Sequence, residues 1–127
     1  MEWTENVKGL QHIGIPTGNI EKTVEFYKKI GFRPVLETEN QGLRVVFLKT
    51  GDLVLETYEC EMPAMRGGAI DHMALNVADI EAAFNEAEKL DAKVIEPITF
   101  LPFWERGVKY FVIEGPNREK IEFAQYM

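Results

Sequence analysis

The sequence predicts an α+β fold: one domain, residues 1–127, built from two βαβββ modules forming a curved eight-stranded sheet around a cleft. Two observations predict it: a segment that recurs at a fixed offset, and strand-like alternation after the helix of each copy. LQHIGIPTGNIEKTVEFYKKIG (Leu10–Gly31) lies over IDHMALNVADIEAAFNEAEKLD (Ile70–Asp91) at an offset of 60, which sets His12 on His72, Asn19 on Asp79, Ile20 on Ile80, Glu21 on Glu81 and Ile30 on Leu90. Further on the offset is 66, and VLET (Val54–Thr57) lies over KIEF (Lys120–Phe123) with Glu56 on Glu122. The six extra residues of the second copy fall around TFLPFWERG (Thr99–Gly107). CEMPAMRGG (Cys60–Gly68), with a Pro and two Gly, reads as the connection, giving module one at about 8–60, a linker at about 61–68 and module two at about 69–126.

Each module opens with a short apolar strand, near Gly9–Pro16 and Ala69–Val77, followed by a helix. Asn19 and Asp79 are suited to accept from the first free helical N–H groups, and Glu21 and Glu81 are favourable in the first turn. Ile20, Val24 and Tyr27, and likewise Ile80, Ala83, Phe84, Ala87 and Leu90, recur at helical spacing and predict one buried face per helix. Gly31 ends the first helix. Three strands follow in each copy: Arg33–Glu39, Leu43–Lys49 and Leu53–Glu59 with turns at Asn40–Gly42 and Thr50–Asp52, then Lys93–Pro97, Val108–Glu114 and Lys120–Gln125 with the turn GPNR (Gly115–Arg118).

Composition narrows the class. The 46% hydrophobic and 28% charged content is that of a folded chain, and 127 residues suffice for a core without staples. An excess of 21 Asp and Glu over 14 Lys and Arg, net −7, argues against nucleic-acid and anionic-membrane surfaces, which require a positive field. The lone Cys60 makes no internal disulfide and, with no visible activating base, is not read as a nucleophile. MEWTENVKGL has neither the basic start nor the apolar core of a signal peptide, and no run approaches a membrane span. A cytoplasmic protein is the expectation.

Alternation along the strands sorts the side chains. Leu53, Leu55 and Thr57 oppose Val54, Glu56 and Tyr58; Ile121 and Phe123 oppose Lys120, Glu122 and Ala124. In the opening strands, Ile13 and Ile15 oppose His12 and Gly14, while Met73, Leu75 and Val77 oppose His72 and Ala74. Since the helices require the apolar face, His12, Glu56, His72 and Glu122 project from the other one. Two imidazoles and two carboxylates suit one divalent Zn, Ni, Co, Mn or Fe ion, the nitrogens giving lone pairs and the oxygens cancelling charge. Taken one at a time, a His in a strand is more often a hydrogen-bonded or surface residue than a ligand, and a Glu alternating with apolar neighbours is usually the solvated side of a sheet.

These residues bring the chain to a family. QHIGI with NIEKTVEFYKKIGF, then IDHMALNVADIEAAF, and the closing EGPNREKIEF resemble the vicinal-oxygen-chelate superfamily of glyoxalase I, methylmalonyl-CoA epimerase, extradiol dioxygenases and the fosfomycin- and bleomycin-resistance proteins, over Leu10–Tyr126. The resemblance implies paired βαβββ modules around a metal whose ligands sit on the first and last strand of each, here His12, Glu56, His72 and Glu122. A His/Glu/His/Glu set is similar to that of bacterial glyoxalase I. The chain departs from it at Pro16, where an Arg typically grips glutathione, and at Glu59 and Cys60, near the place of a polar Asn.

The resemblance implies a metal-dependent lyase or isomerase acting on a small oxygen-chelating substrate through an enediolate, with Glu122 as base and Glu56 as its symmetric partner. The alternatives are a metal-free small-molecule binding or sequestering protein of bleomycin-resistance type, and an iron-dependent dioxygenase. Phe100, Phe103 and Trp104, in a segment unusually apolar for a loop, are expected either to line the substrate pocket or to pack at an interface. Short members of the family are usually dimers, so a homodimer is expected, with each metal set drawn from one chain or from two.

Overall fold

Each copy of the repeat folds into its own four-stranded mixed sheet. A computed structural model describes residues 2–127, in two units, one ending at Pro63 and the other spanning Ala64–Met127. The first unit contains α1 (Trp3–Asn6), β1 (Ile13–Thr17), α2 (Ile20–Lys29), β2 (Arg33–Asn40), β3 (Leu43–Thr50) and β4 (Leu53–Glu59). The second contains β5 (His72–Asn76), α3 (Ile80–Glu88), β6 (Val94–Leu101), β7 (Val108–Glu114) and β8 (Lys120–Tyr126). Strand orders are β1-β4-β3-β2 and β5-β8-β7-β6, so the repeat in sequence is a repeat in topology. In each unit the opening strand runs parallel to the closing strand, and the other pairings are antiparallel. No helix among the described residues is long and apolar enough to cross a membrane.

The helix starts follow from their caps. The Asn19 side chain accepts from the Lys22 N–H at 3.0 Å, and Asp79 accepts from the Ala82 N–H at 3.1 Å. Gly31, at φ +100°, takes the left-handed conformation that ends α2. The apolar helix faces bury against the sheets: Ile20, Tyr27, Phe32, Leu48 and Leu55 in the first unit, and Ile80, Ala87, Phe111, Ile113 and Ile121 in the second, are all at most 3% exposed. Removing each large side chain of these cores from water contributes about 1.5–3 kcal/mol. Phe111 anchors the second core, meeting Phe84 edge-on at 5.0 Å and stacking on Phe123 at 4.9 Å.

Two features differ from the pattern read in the sequence. A short helix, α1, precedes the first module. β6 extends to Leu101, so Thr99 and Phe100 belong to a strand rather than to the loop. β2 and β3 meet through Gln41 and Gly42, both at positive φ, as a tight hairpin requires, whereas residues 102–107 join β6 to β7. Much of the second copy's insertion is therefore this connection.

Candidate functional site

His12 and Glu56 are brought together by strand register. β1 pairs in parallel with β4, Gly14 standing opposite Glu56, and His12 precedes β1 by one residue with the parity of Gly14. The imidazole and the carboxylate are thus diagonal neighbours on one face, and the absent side chain of Gly14 leaves room between them. Nε2 of His12 lies 3.5 Å from Oε1 of Glu56. The second unit repeats this: Ala74 stands opposite Glu122, His72 lies opposite Lys120, and Nε2 of His72 is 3.5 Å from Oε1 of Glu122. All four side chains are partly exposed, none buried.

Both rings are held from behind by the preceding residue. Nδ1–H of His12 donates to the side-chain carbonyl oxygen of Gln11 at 2.9 Å, and Nδ1–H of His72 donates to Asp71 at 3.1 Å. With the proton on Nδ1, each Nε2 presents a lone pair toward a carboxylate oxygen, an arrangement that a cation between them satisfies. Two ligand atoms about 2.0–2.2 Å from a metal, at a tetrahedral angle, are about 3.4 Å apart. The donor chemistry and the spacing of each pair therefore fit a divalent metal. The count per unit is two, and among the described residues no three His, Cys, Asp or Glu side chains gather as a metal group.

The second pair opens onto a cleft of about 600 Å³ formed within its own unit. Its polar end carries Asp71, His72, Glu122 and Lys120, and its apolar end Leu101, Phe103, Trp104 and Tyr126. Partial burial pushes the Glu122 carboxyl above its ordinary value; His72 opposes the rise and Glu96 adds to it. Asp71 is held below its ordinary value by hydrogen bonds from His72 and from Lys120, whose Nζ is 3.0 Å away. Across β6 and β7, the Tyr110 hydroxyl donates to Glu96 at 2.7 Å, which raises the phenol above its usual value.

A match to the family model described as "Glyoxalase/Bleomycin resistance protein/Dioxygenase superfamily" runs over residues 9–123. The chain belongs to this superfamily. A relative from Bacillus subtilis (strain 168), described as the uncharacterized protein YwbC, is 35% identical over 128 residues, covering 93% of this chain and 98% of that protein. Among solved structures, SMU.1112c matches with a TM-score of 0.80 at 23% identity, over 94% of this chain and 99% of that one. A glyoxalase family protein from Enterococcus faecalis matches at 0.78 and 24% identity, over 92% and 97%. A glyoxalase I variant from Zea mays matches at 0.79 and 15% identity, over 98% of this chain and 47% of that one. At these identities the structural matches show the glyoxalase fold.

Within this glyoxalase-superfamily chain the expected pocket residues divide. Phe103 and Trp104 line the cleft; Phe100 is not among its lining residues, having the opposite strand parity to Leu101, which is. Its ring instead occupies the space beside Gly107 where a side chain would stand. Gln11, Asp71, Glu96, Tyr110 and Tyr126 are site features beyond those expected. Gln11 and Asp71 carry a signal, each preceding its histidine. Tyr110 and Tyr126 also follow from alternation, sharing parity with Val112 and with Glu122. Glu96 had no such signal, because β6 is irregular on both sides of it and strand parity fails there.

Proposed function

We propose that the chain is a metal-dependent lyase or isomerase of glyoxalase-like type, acting on a small substrate with oxygens on adjacent carbons. The observation that carries this reading is the His–Glu pair made twice at equivalent register positions, each Nε2 lying 3.5 Å from a carboxylate oxygen. His12, Glu56, His72 and Glu122 are the proposed ligands of one divalent ion (Zn, Ni, Co, Mn or Fe), two from each module, supplied by one chain or by two in a homodimer. When bound, the ion supplies Lewis-acid polarisation of the substrate carbonyl.

Glu122 is the proposed base, removing the proton from the carbon beside that carbonyl and returning it to the neighbouring carbon; in an epimerisation the opposite face would take its proton from Glu56. Its partial burial favours the role, since a carboxyl lifted above its ordinary value is a stronger proton acceptor. Glu56 is its symmetric partner. Asp71 and Gln11 orient the two rings from Nδ1. Leu101, Phe103 and Trp104 give the cleft an apolar wall beside the reacting group.

The test is metal content per chain of untagged protein after loading with each of the five ions, with His72→Ala in parallel. About one ion per chain, lost in the variant, supports the ligand set. Hemithioacetals of methylglyoxal and epimerisable acyl compounds are then assayed, and Glu122→Gln is expected to abolish turnover with the fold retained. A chain that binds none of the ions removes the reading. The edge-to-face pair of Trp104 and Tyr126 at the cleft favours one other reading, a metal-free binding protein. It requires tight ligand binding with no turnover in metal-free protein.

A further inference from the structure

We infer that Glu96 and Tyr110, together with Trp104, form a subsite that selects substrates whose non-reacting arm is uncharged and rich in hydroxyl groups. The inference deepens the proposed function, since the subsite shares its cleft with Glu122.

Glu96 accepts the Tyr110 hydroxyl through one oxygen, and the other has no hydrogen-bond partner among the described residues. That oxygen is an acceptor already fixed in place by its neighbour, so a substrate hydroxyl meets it without the cost of ordering the side chain. The Tyr110 oxygen donates to Glu96 and has the Thr99 side chain beside it, which leaves it one acceptor lone pair for a second hydroxyl. Groups that both donate and accept match this pair; an alkyl arm would leave the carboxylate desolvated and unpaired.

Charge decides against an anionic arm. The cleft lining contains three carboxylates, Asp71, Glu96 and Glu122, against one ammonium, Lys120, which already donates to Asp71. An incoming carboxylate or phosphate would face Glu96 with no unpaired cation in the lining to receive it. Opposite the polar end, Trp104 is 72% exposed and held in the left-handed backbone region at φ +65°, a conformation that bulky residues rarely take. Its indole, braced edge-on by Tyr126 at 5.6 Å, offers an apolar face for the C–H surface of a hydroxylated ring.

The test titrates full-length, metal-free protein in EDTA with three soluble probes: phenyl β-glucopyranoside, phenyl β-glucuronide (the same frame with a carboxylate) and anisole (the same aryl ether without hydroxyls). The readout is the indole N–H signal of Trp104 in proton–nitrogen NMR, assigned with Trp104→Phe. The glucoside is expected to bind about 10-fold more tightly than either other probe, the size of one hydrogen bond to a charged group. Glu96→Gln is expected to weaken the glucoside about 10-fold and to remove the discrimination against the glucuronide. Tyr110→Phe, which keeps the ring and deletes only the hydroxyl, is a second variant expected to weaken the glucoside alone. Absence of glucoside binding, equal binding of all three probes, or unchanged selectivity in Glu96→Gln with a native spectrum would each overturn the inference. Because no metal or turnover enters the measurement, its failure is distinct from failure of the proposed activity.

Discussion

Asp71 accepts a hydrogen bond from Nδ1 of His72 at 3.1 Å, which fixes the imidazole tautomer whose Nε2 faces Glu122. The same carboxylate holds Lys120 at 3.0 Å, so one exposed side chain organises the polar end of the cleft. Gln11 makes the corresponding contact to His12 with a neutral amide. A carboxylate behind a metal-binding imidazole raises its basicity more than an amide does.

Asp71→Ala is therefore expected to weaken divalent-metal binding about 10–100-fold, and Gln11→Leu by less. Competition titrations with zinc or cobalt measure both. An Asp71→Ala protein with wild-type metal affinity would show that His72 needs no such support.

The raised Glu122 carboxyl has a consequence for stability. A carboxyl that holds its proton more tightly when folded stabilises the fold below its unfolded value, and that contribution is lost as pH rises through the folded value. In metal-free protein Glu122→Gln is expected to melt above wild type at about pH 7, with the difference closing below about pH 3, where the carboxyl is protonated in both the folded and the unfolded chain. Calorimetry at the two pH values checks the sign. A variant that melts below wild type at neutral pH contradicts the burial argument.

Thr57 is 1% exposed, and its hydroxyl oxygen has no hydrogen-bond partner among the described residues. Replacing a buried, unpaired hydroxyl by a methyl group removes a desolvation cost of about 1–3 kcal/mol and keeps the shape. Thr57→Val is expected to be neutral or stabilising by about 1 kcal/mol in denaturant unfolding. A loss of that size would mean that the hydroxyl is satisfied in solution.

Gly107 sits at φ +91°, and a Cβ there would lie 2.3 Å from the Phe100 ring and 3.0 Å from the Leu101 carbonyl oxygen. Its own carbonyl accepts from the Met127 N–H at 3.0 Å. Gly107→Ala is expected to cost about 1–2 kcal/mol from backbone strain alone. It should also shift the Trp104 and Tyr126 signals, because the strain falls on the connection that carries Trp104. Unchanged stability would show that Phe100 swings aside freely and that the backbone relaxes.

The duplication, the helix caps, the repeated His and Glu positions and most strand limits are local properties, legible from spacing alone. Asn19 and Asp79 cap because an oxygen stands three residues before a free N–H, and Ile121 and Phe123 face the core because strand parity is two. The sequence by itself therefore determined the βαβββ plan and the face carrying His12, Glu56, His72 and Glu122. Tertiary structure decided the rest. Parallel pairing of the first strand with the last sets each His 3.5 Å from its Glu across more than 40 residues of chain, a register that no local period encodes. The irregularities of β6 likewise turned Glu96 toward Tyr110 and left Phe100 outside the cleft, since one extra residue in a strand reverses the facing of every side chain beyond it.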